Sequence, residues 1–328
     1  MVMNYENLTR KKLALDGLTP LPVALVRNLE DWFTIELTYT SNAIEGNTLT
    51  RRETAVVIEK GLTVGGKSLK EHLEAANHAE ALKFVRSLIR KKPARISGQD
   101  ILGIHGLILK GIDDENAERF RNVPVRISGS SVIMPNPRKV PELMEGFLAW
   151  LRAKHDLHPV AWAGEAHYRL VSIHPFTDGN GRTARLLMNL ILMQQGYPPA
   201  IIRLRDRLAY IEALETAQLG GSKQAYDQII AKAAERSLDI YFQAAKGETA
   251  ASEADTERLM KIGELAKAAG ESVSTIRYWT QQGLLRRALI MPSGYQMFAS
   301  DMLARCAQIT KLQAERLTLL EIKMRLGA

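Results

Sequence analysis

Hydrophobic residues recur every three or four positions along most of the first 245 residues, a spacing typical of helices that bury one face. In the segment 69–88, for example, Leu73, Ala76 and Leu82 share a face. Thr50 and Glu53 have the spacing of a capping box, which predicts the start of a helix. The pattern predicts a mainly α-helical body, with helices over residues 50–58, 69–88, 100–109, 140–153, 160–173 and, buried at the centre, 182–195.

One segment departs from the helical pattern. Residues 123–135 alternate between apolar and polar positions, turn at Ser128-Gly129-Ser130, and then alternate again. This arrangement predicts a β-hairpin. Since a lone hairpin is marginally stable in water, we expect it to pack on the helical body.

A small, polar and acidic stretch at residues 246–257 has the composition of a linker. We therefore predict an N-terminal helical region over residues 1–95, a core over 96–245, and a separate small domain over 258–328. That last domain holds 11 Lys/Arg and 5 Asp/Glu, which accounts for +6 of the chain's net charge of +8. A basic domain on a near-neutral body favours a polyanionic partner, although a basic solvated surface has the same composition.

Composition excludes several other classes of protein. The longest apolar runs fall short of the roughly 20 residues that span a bilayer, and the first residues do not have the pattern of a secretory signal. The chain's one cysteine, Cys306, cannot form an internal disulfide. We expect a cytoplasmic protein with no membrane partner.

The segment 174–185, HPFTDGNGRTAR, concentrates candidate chemistry at the start of the predicted central helix. Gly179 and Gly181 let backbone N–H groups approach a ligand closely, and the helix N-terminus favours anions. Arg182 and Arg185 lie three residues apart, so both can bind one polyphosphate. Taken alone, two such arginines are more often part of a solvated face.

Two further side chains complete this candidate site. Asp178 offers an oxygen ligand for Mg²⁺, which would balance the charge of a nucleotide. His174 is a base suited to deprotonating a hydroxyl at neutral pH, although a lone histidine after an apolar helix is more often part of the core. The conjunction of these features within twelve residues favours a nucleotide-dependent active site.

The same segment resembles the signature of the Fic family, H-P-F-x-[D/E]-G-N-G-R-x-x-R, at every specified position. Fic proteins are helical, bind ATP with Mg²⁺, and typically transfer AMP to a Ser, Thr or Tyr hydroxyl. The resemblance covers about residues 1–245. It implies that His174 is the general base, that Asp178 binds magnesium, and that Phe176 anchors the loop in the core. The implied nucleotide-binding residues are Gly179, Asn180 and Gly181 for the α- and β-phosphates, with Arg182 and Arg185 for the outer phosphates.

The resemblance also gives roles to segments outside the signature. The hairpin over residues 123–135 corresponds to the family's flap, where a target protein would add as an extra strand. Residues 200–210 resemble the nucleoside-binding helix, so Tyr210 would contact adenine. Gln218 stands where the family commonly has asparagine, and its amide can still hydrogen-bond the base.

Residues 41–47, SNAIEGN, resemble the inhibitory motif of Fic proteins. Ser41 and Glu45 are four residues apart and would share one face of a short helix. By resemblance, Glu45 would pair with Arg185 and take the place of the γ-phosphate. In some relatives the same glutamate orients water for AMP removal, which leaves the net direction of catalysis open.

Residues 61–68, GLTVGGKS, fit the P-loop pattern. A P-loop needs a preceding strand and a parallel sheet, whereas the preceding residues 50–58 are predicted to be helical. We interpret this segment as a loop between helices.

Residues 260–326 resemble the winged-helix head of MerR-type regulators, through the stretches 261–266, 273–278, 283–285 and 293–295. The resemblance implies a recognition helix over residues 273–281, with Ser274, Thr275 and Arg277 facing the major groove. It also implies a wing over residues 286–294 that carries Arg286 and Arg287. Gln296 replaces an arginine usual in that family, which removes a phosphate contact. DNA binding and docking of a target protein both stay open.

The sequence therefore predicts an autoinhibited protein adenylyltransferase that uses ATP with Mg²⁺ and acts on an unknown target protein. The alternatives are a DNA-binding regulator whose Fic half senses a nucleotide, and a Fic enzyme that removes AMP or uses another nucleotide donor. The oligomeric state is left open, homo-oligomers included.

Overall fold

The computed structural model describes residues 5–90, 95–247, 260–290, 296–299, 301–315 and 317–326. The described residues form two compact units. The larger, here the helical unit, spans residues 5–202 and 210–247, and the smaller, the C-terminal unit, spans residues 203–209 and 260–326. The predicted linker 246–257 lies almost wholly outside the described residues.

Helices account for most of the described chain up to residue 247, as the apolar spacing predicts. In order they are α1 Glu6–Asp16, α2 Val23–Ile44, α3 Arg51–Lys60, α4 Leu69–Ser87, α5 Gly98–Leu109, α6 Val140–Arg152, α7 Pro159–Ile173, α8 Asn180–Gln194, α9 Arg207–Gln218 and α10 Gln224–Ala245. None of the helices in the described segments is both long and apolar enough to cross a membrane.

Local sequence fixes where several of these helices begin. The capping box predicted at Thr50 is present, with Glu53 bonded to the Thr50 backbone in return. Ser68 and Ser97 form the same reciprocal cap at the starts of α4 and α5. Each cap satisfies backbone N–H groups that the helix itself leaves without acceptors.

The central helix α8 lies in the middle of the core. Residues 186–192 are all buried, and α7, α5 and α4 pack around them. One continuous apolar cluster runs from Leu8 to Leu238, so the segments 1–95 and 96–245 share a single core. The site at the start of α8 therefore adjoins the buried centre of the unit.

Two predictions about helices need correction. The helix carrying Ser41 is long, since α2 has 22 residues, and Glu45 is its C-terminal cap rather than an interior residue. Residues 200–203 are not helical, because the Asn189 side chain binds both the N–H (2.8 Å) and the carbonyl of Ala200 in an irregular stretch that follows Pro199. The helix begins only at Arg207.

The segment with the P-loop pattern is a connection between two helices, as predicted. It follows α3 directly, and its Ser68 serves as the cap of α4. Lys67 donates from Nζ to the carbonyl of Thr48 at 2.5 Å. That ammonium is thus engaged in linking two loops of the protein.

The C-terminal unit contains β1 Met260–Lys261, α11 Ile262–Ala269, α12 Val273–Gln281, β2 Leu289–Ile290, β3 Gln296–Phe298, α13 Asp301–Ala314 and α14 Leu319–Arg325. The three strands form an antiparallel sheet in the order β1-β3-β2. A small core containing Leu265, Ile276, Trp279 and Phe298 holds the unit together. The predicted recognition helix has the bounds of α12, while residues 291–295 of the predicted wing lie outside the described residues.

Candidate active site

The loop between α7 and α8 begins and ends with a residue in the left-handed conformation. His174 caps α7 with φ 50°, and Gly179 caps α8 with φ 76°. A Cβ at Gly179 would also meet Ile108 at 3.3 Å and His105 at 3.4 Å on α5. Glycine at position 179 therefore permits both the turn and the close approach of the loop to α5.

The interior of this loop is tied to the core at several points. Phe176 is fully buried and stacks on His105, with ring centroids 3.7 Å apart. His105 Nε2 lies 3.1 Å from the carbonyl of Asp178, and burial lowers the pKa of His105 to about 4. The neutral ring therefore donates to that carbonyl, and the loop is held in one conformation. The core position predicted for Phe176 is confirmed.

Asn180 has a different place from the one predicted. Its side-chain amide accepts from the N–H of Phe176 and donates to the carbonyl of the same residue, both at 2.9 Å. Asn180 is 3% exposed and its amide closes the loop on itself, while its contact with phosphate stays a prediction. The N–H groups of the first turn of α8 have no acceptor within the helix, so the anion-binding capacity lies in the backbone.

Asp178 is the exposed acid of the loop. Its side chain is 52% exposed, and Oδ1 accepts from the N–H of Gly179 at 2.6 Å. Arg182 lies 3.5 Å from the same oxygen. Among the described residues no group of three potential ligands could hold a metal ion unaided. A single carboxylate suits Mg²⁺ that also binds substrate phosphates, because Mg²⁺ keeps few protein ligands.

His174 is partly buried, and burial lowers the pKa of its imidazole below the usual value. The charge of Arg121 also lowers this pKa, whereas the carbonyl of Val171 and the charges of Glu45 and Asp178 raise it. Nδ1 lies 3.4 Å from the Val171 carbonyl, which can only accept. The ring is therefore neutral at pH 7 with its proton on Nδ1, and Nε2 is left as the base.

The two arginines of the signature are both buried but have separate partners. Arg182, 2% exposed, places Nη1 3.1 Å from the carboxylate of Glu74 on α4. Glu74 also accepts from Asn47 at 2.9 Å. Arg182 is thus held by a buried acid from another helix, a partner that the sequence analysis did not identify.

Arg185 is bound to the end of α2. Its Nε donates to Ser41 Oγ at 3.0 Å, and Nη2 donates to the Ser41 carbonyl at 2.9 Å and to Glu45 Oε1 at 2.7 Å. Burial alone would lower the pKa of Arg185, but the charges of Glu45 and Tyr210 and the hydrogen bonds to both side chains together raise it. The pairing of Glu45 with Arg185 is the contact that the resemblance implies; its inhibitory role stays a prediction.

The Glu45 carboxylate lies over the first turn of α8. A Cβ added at Gly181 would overlap Glu45 Oε1 and would lie 3.0 Å from Arg185 Nη1. The space left by the missing side chain of Gly181 is therefore filled by a carboxylate. An anion from the protein itself occupies a helix N-terminus, the kind of position that favours phosphate.

Tyr210 lies in the core, 2% exposed, and the prediction that it contacts adenine is not supported. Its hydroxyl is 2.7 Å from His167 Nε2, and His167 Nδ1 is 2.9 Å from the hydroxyl of Tyr226. Tyr226 in turn donates to the Gly164 carbonyl at 2.8 Å. Burial raises the pKa of Tyr210 to about 12, while the charge of Arg185 and a hydrogen bond from it act in the opposite direction. The Tyr210 hydroxyl therefore hydrogen-bonds Arg185 within the core.

The segment 123–135 has the predicted turn but no assigned strands. Ser130 N–H donates to the Ile127 carbonyl at 3.1 Å to close the turn. Glu215 on α9 accepts from the N–H of Ser131 at 2.7 Å and from the hydroxyl of Ser130 at 3.0 Å. The hairpin prediction is thus corrected: the segment forms a turn that is bonded to α9, and its two arms are irregular and form no strand ladder.

A side chain replaces the missing strand ladder. Arg121, 4% exposed, donates from Nη1 to the Val123 carbonyl at 3.0 Å and from Nη2 to the Pro135 carbonyl at 2.7 Å. One guanidinium therefore joins the two ends of the segment.

In the C-terminal unit, α12 begins with a side-chain cap. Ser272 Oγ accepts from the N–H of Thr275 at 3.0 Å and lies within 2.8 Å of the Thr275 hydroxyl. That hydroxyl is engaged in the cap, which weakens the prediction that Thr275 contacts DNA. The other residues predicted to contact DNA are exposed: Ser274, Arg277, Arg286 and Arg287.

Two families match this chain. Residues 95–192 match the Fic/DOC family, and residues 260–328 match the MerR HTH family regulatory proteins. The chain is 44% identical over 205 residues to a protein adenylyltransferase Fic of Nematostella vectensis, covering 62% of this chain and 47% of that one.

Solved structures agree with this assignment. A Fic domain containing signaling protein from Bacteroides thetaiotaomicron is similar with a TM-score of 0.69 and 30% identity, covering 74% of this chain and 99% of that one. Fic-1 from C. elegans (residues 134–508) is similar with a TM-score of 0.67 and 34% identity, covering 74% and 72%. The chain belongs to the Fic/DOC family. It spans about half the length of the curated relatives that it matches.

Sequence reasoning missed the residues that hold the site from outside the signature. Glu74 and His105 lie on helical faces and carry no motif, and Arg121 precedes the alternating segment without a periodic signal. The neighbours of Glu74 on its helical face are themselves polar, among them Asn77 and His78, so no local pattern indicated that Glu74 is buried against an arginine.

Proposed function

We propose that this protein is a protein adenylyltransferase, which transfers AMP from ATP to a Ser, Thr or Tyr hydroxyl of a target protein. The observation that carries the proposal is that a neutral histidine and a helix N-terminus flank one short loop. The base lies at position 174, and the anion-binding backbone begins at position 179. The relatives named protein adenylyltransferase Fic support the same activity.

In the proposed reaction, His174 Nε2 takes the proton of the target hydroxyl. The hydroxyl oxygen attacks the α-phosphorus of ATP, the bond to the β-phosphate oxygen breaks, and pyrophosphate leaves. The first turn of α8 binds the phosphates through its backbone N–H groups, and Arg185 offers a fork to the outer phosphate. Asp178 would hold Mg²⁺, which neutralises phosphate charge when bound.

We further propose that Glu45 inhibits this reaction. Its carboxylate binds the same guanidinium and covers the same helix turn that ATP would need. Two anions cannot share that position, because their oxygens would overlap and like charges at contact distance repel each other. ATP would bind productively only after the Glu45 carboxylate leaves Arg185.

A labelling experiment tests the transfer itself. The Glu45→Gly protein is incubated with a cell lysate and ATP that carries the label on either the α- or the γ-phosphate. We expect protein labelling from the α-label alone, with a mass increase of one AMP. Labelling from the γ-phosphate would indicate a kinase, and no labelling from ATP together with labelling from UTP would indicate another donor.

A DNA-binding function for the C-terminal unit is a second candidate, supported by the match to MerR regulators over residues 260–328. The exposed Arg277 on α12 and the exposed Arg286 fit a surface that meets phosphates. The 328-residue chain should shift duplex DNA of random sequence with an affinity that falls steeply as salt rises. An Arg277→Glu variant should weaken the shift. Absence of a shift at low salt would leave docking of a target protein as the function of this unit.

We also propose that the protein works in the reducing cytoplasm. The single cysteine, Cys306, is buried, and burial raises the pKa of its thiol to about 11, so it is unreactive. Fractionation of cells that express the tagged chain tests this localisation.

A further inference from the structure

Arg121 makes an unusual set of hydrogen bonds for a buried arginine. Its guanidinium donates from Nε to the His174 carbonyl at 2.7 Å, and from its two terminal nitrogens to the carbonyls of Val123 and Pro135. Its backbone N–H donates to the Pro175 carbonyl at 2.9 Å. All four bonds end on main-chain oxygens of two segments, the catalytic loop and the segment 123–135.

These bonds take the place of a strand ladder at the base of the segment. The carbonyls of Val123 and Pro135 lie twelve residues apart in the chain and share one planar guanidinium. Because the guanidinium is rigid, its donors fix the separation of the two arms. Glu215 holds the tip of the segment separately. Among these contacts, only those of Arg121 join the two ends of the segment to the loop that carries His174.

The same guanidinium acts on the backbone of His174. That residue is in the left-handed conformation, which costs a non-glycine residue free energy and persists only when its surroundings hold it. The His174 N–H is bonded to the Leu170 carbonyl within the cap of α7, and the His174 carbonyl is bonded to Arg121. Arg121 therefore helps to fix the direction of the imidazole.

We propose that Arg121 is a positioning residue that holds the segment 123–135 at a set distance from His174. A target backbone lying along this segment then presents its hydroxyl within reach of the imidazole. The inference rests on the proposed transfer reaction for its functional consequence, although the mechanical link between the two segments is independent of it.

The alternative is that Arg121 merely stabilises the fold. Its contacts argue against this, since they go to loop carbonyls and not to the apolar cluster that joins the helices. Loss of the guanidinium should loosen two loops and leave the helical core intact. This difference gives the proposal a readout apart from activity.

The first test measures the mobility of the segment without any substrate. A nitroxide is attached through Ile133→Cys, since Ile133 is 80% exposed, and in a second protein through Leu143→Cys on α6. The chain without either change reports any labelling of the buried Cys306. Arg121→Met should sharpen the spectrum of the label at position 133 and leave that at 143 unchanged. The matched control is Arg86→Met, which removes a guanidinium that donates to the Glu30 carbonyl at 2.8 Å in the same unit.

The second test separates binding from transfer in the Glu45→Gly background. Arg121→Met should lower the rate of automodification at saturating ATP by about 100-fold, the cost of a misplacement of about 1 Å. Its Kd for ATP should stay within about twofold. Arg121→Lys keeps the charge but has no planar guanidinium to bind several carbonyls at once. Its transfer rate should exceed that of Arg121→Met by at most about tenfold.

The outcomes are distinct. Unchanged mobility at position 133 in Arg121→Met would overturn the proposal, as would mobility that rises equally at position 143. A fall in ATP affinity equal to the fall in rate would also overturn it, because that pattern indicates a general structural defect. If Glu45→Gly itself transfers no AMP, the proposed function fails, and the mobility measurement still decides whether Arg121 holds the segment.

Discussion

Arg182 and Arg185 lie about one turn apart on α8, and each is paired with a glutamate from a different helix. Glu74 reaches Arg182 from the middle of α4, and its side chain is only 10% exposed. Glu45 reaches Arg185 from the C-terminal cap of α2, and its side chain is 37% exposed. The two arginines look equivalent in the sequence of α8. Their glutamate partners differ in how much of the protein would have to move to break each pair.

That difference indicates which pair can act as a switch. To withdraw Glu74, a 19-residue helix with both ends capped or packed would have to shift. To withdraw Glu45, only the turn that follows α2 has to change, and that turn already contains Gly46 with φ 101°. An acid at a helix end next to a permissive glycine is displaceable, whereas an acid in the middle of a packed helix is a fixed part of the site.

The largest expected effect tests whether His174 is the general base of the reaction that both arginines would serve. In the Glu45→Gly background, His174→Ala should lower the rate of AMP transfer by about 10²–10⁴-fold, the usual contribution of a general base. ATP binding, measured by calorimetry, should persist. The control is His155→Ala, since His155 lies before α7, at the end opposite His174. Equal transfer by the His174→Ala protein would remove His174 from the mechanism.

If Glu74 is a fixed partner, its loss should destabilise the protein and should not activate it. Glu74→Gln leaves Arg182 buried without its main counter-charge, which should lower the free energy of unfolding by about 3 kcal/mol. Urea unfolding measures the effect. Glu80→Gln is the matched control on the same helix, because the exposed pair of Glu80 with Lys83 should contribute under about 1 kcal/mol. An activated, fully stable Glu74→Gln protein would erase the distinction between the two glutamates.

If Glu45 is the displaceable partner, its loss should activate transfer. Glu45→Gly should raise automodification about 5- to 150-fold, the range of a coupling of 1–3 kcal/mol, and should tighten productive ATP binding. Arg185→Ala should not mimic this change, because it removes the inhibitory contact and the phosphate ligand together. The double variant should behave like Arg185→Ala alone, which is the non-additivity expected when two residues act on one interaction. A wild-type protein as active as Glu45→Gly would contradict autoinhibition.

The smallest expected effect concerns the segment with the P-loop pattern. Lys67 binds the Thr48 carbonyl and pairs with Glu53, and neither residue belongs to the two arginine pairs, so Lys67→Ala should leave the Kd for ATP within about twofold. Fluorescence titration with a labelled nucleotide measures this. A loss of ATP binding comparable to that of Arg185→Ala would place a nucleotide site at residues 61–68. The two arginine pairs would then not define the ATP site.

The sequence by itself predicted six helices of the helical unit, the cap at Thr50 and the chemistry of the twelve residues around the loop. The glycines at 179 and 181 and the cap at Thr50 act within one or two turns of the chain, where the identity of a residue dictates the backbone. For the same reason the connection at residues 61–68 was predictable, whereas the bounds of α12 came from the resemblance to MerR-type regulators. The family signature added the expectation that Glu45 meets Arg185.

Only the tertiary structure decided which side chains of the loop stay exposed and which are bound within the protein. Asn180 and Tyr210, expected at the nucleotide, have hydrogen-bond partners inside the protein. Asn180 binds the backbone of Phe176, and the Tyr210 hydroxyl binds His167. The two arms of residues 123–135 form no strand ladder. The Arg121 guanidinium joins their ends instead. Glu74 reaches Arg182 across more than one hundred residues of sequence. Such contacts depend on how buried charges find partners once helices pack, and no local pattern encodes that choice.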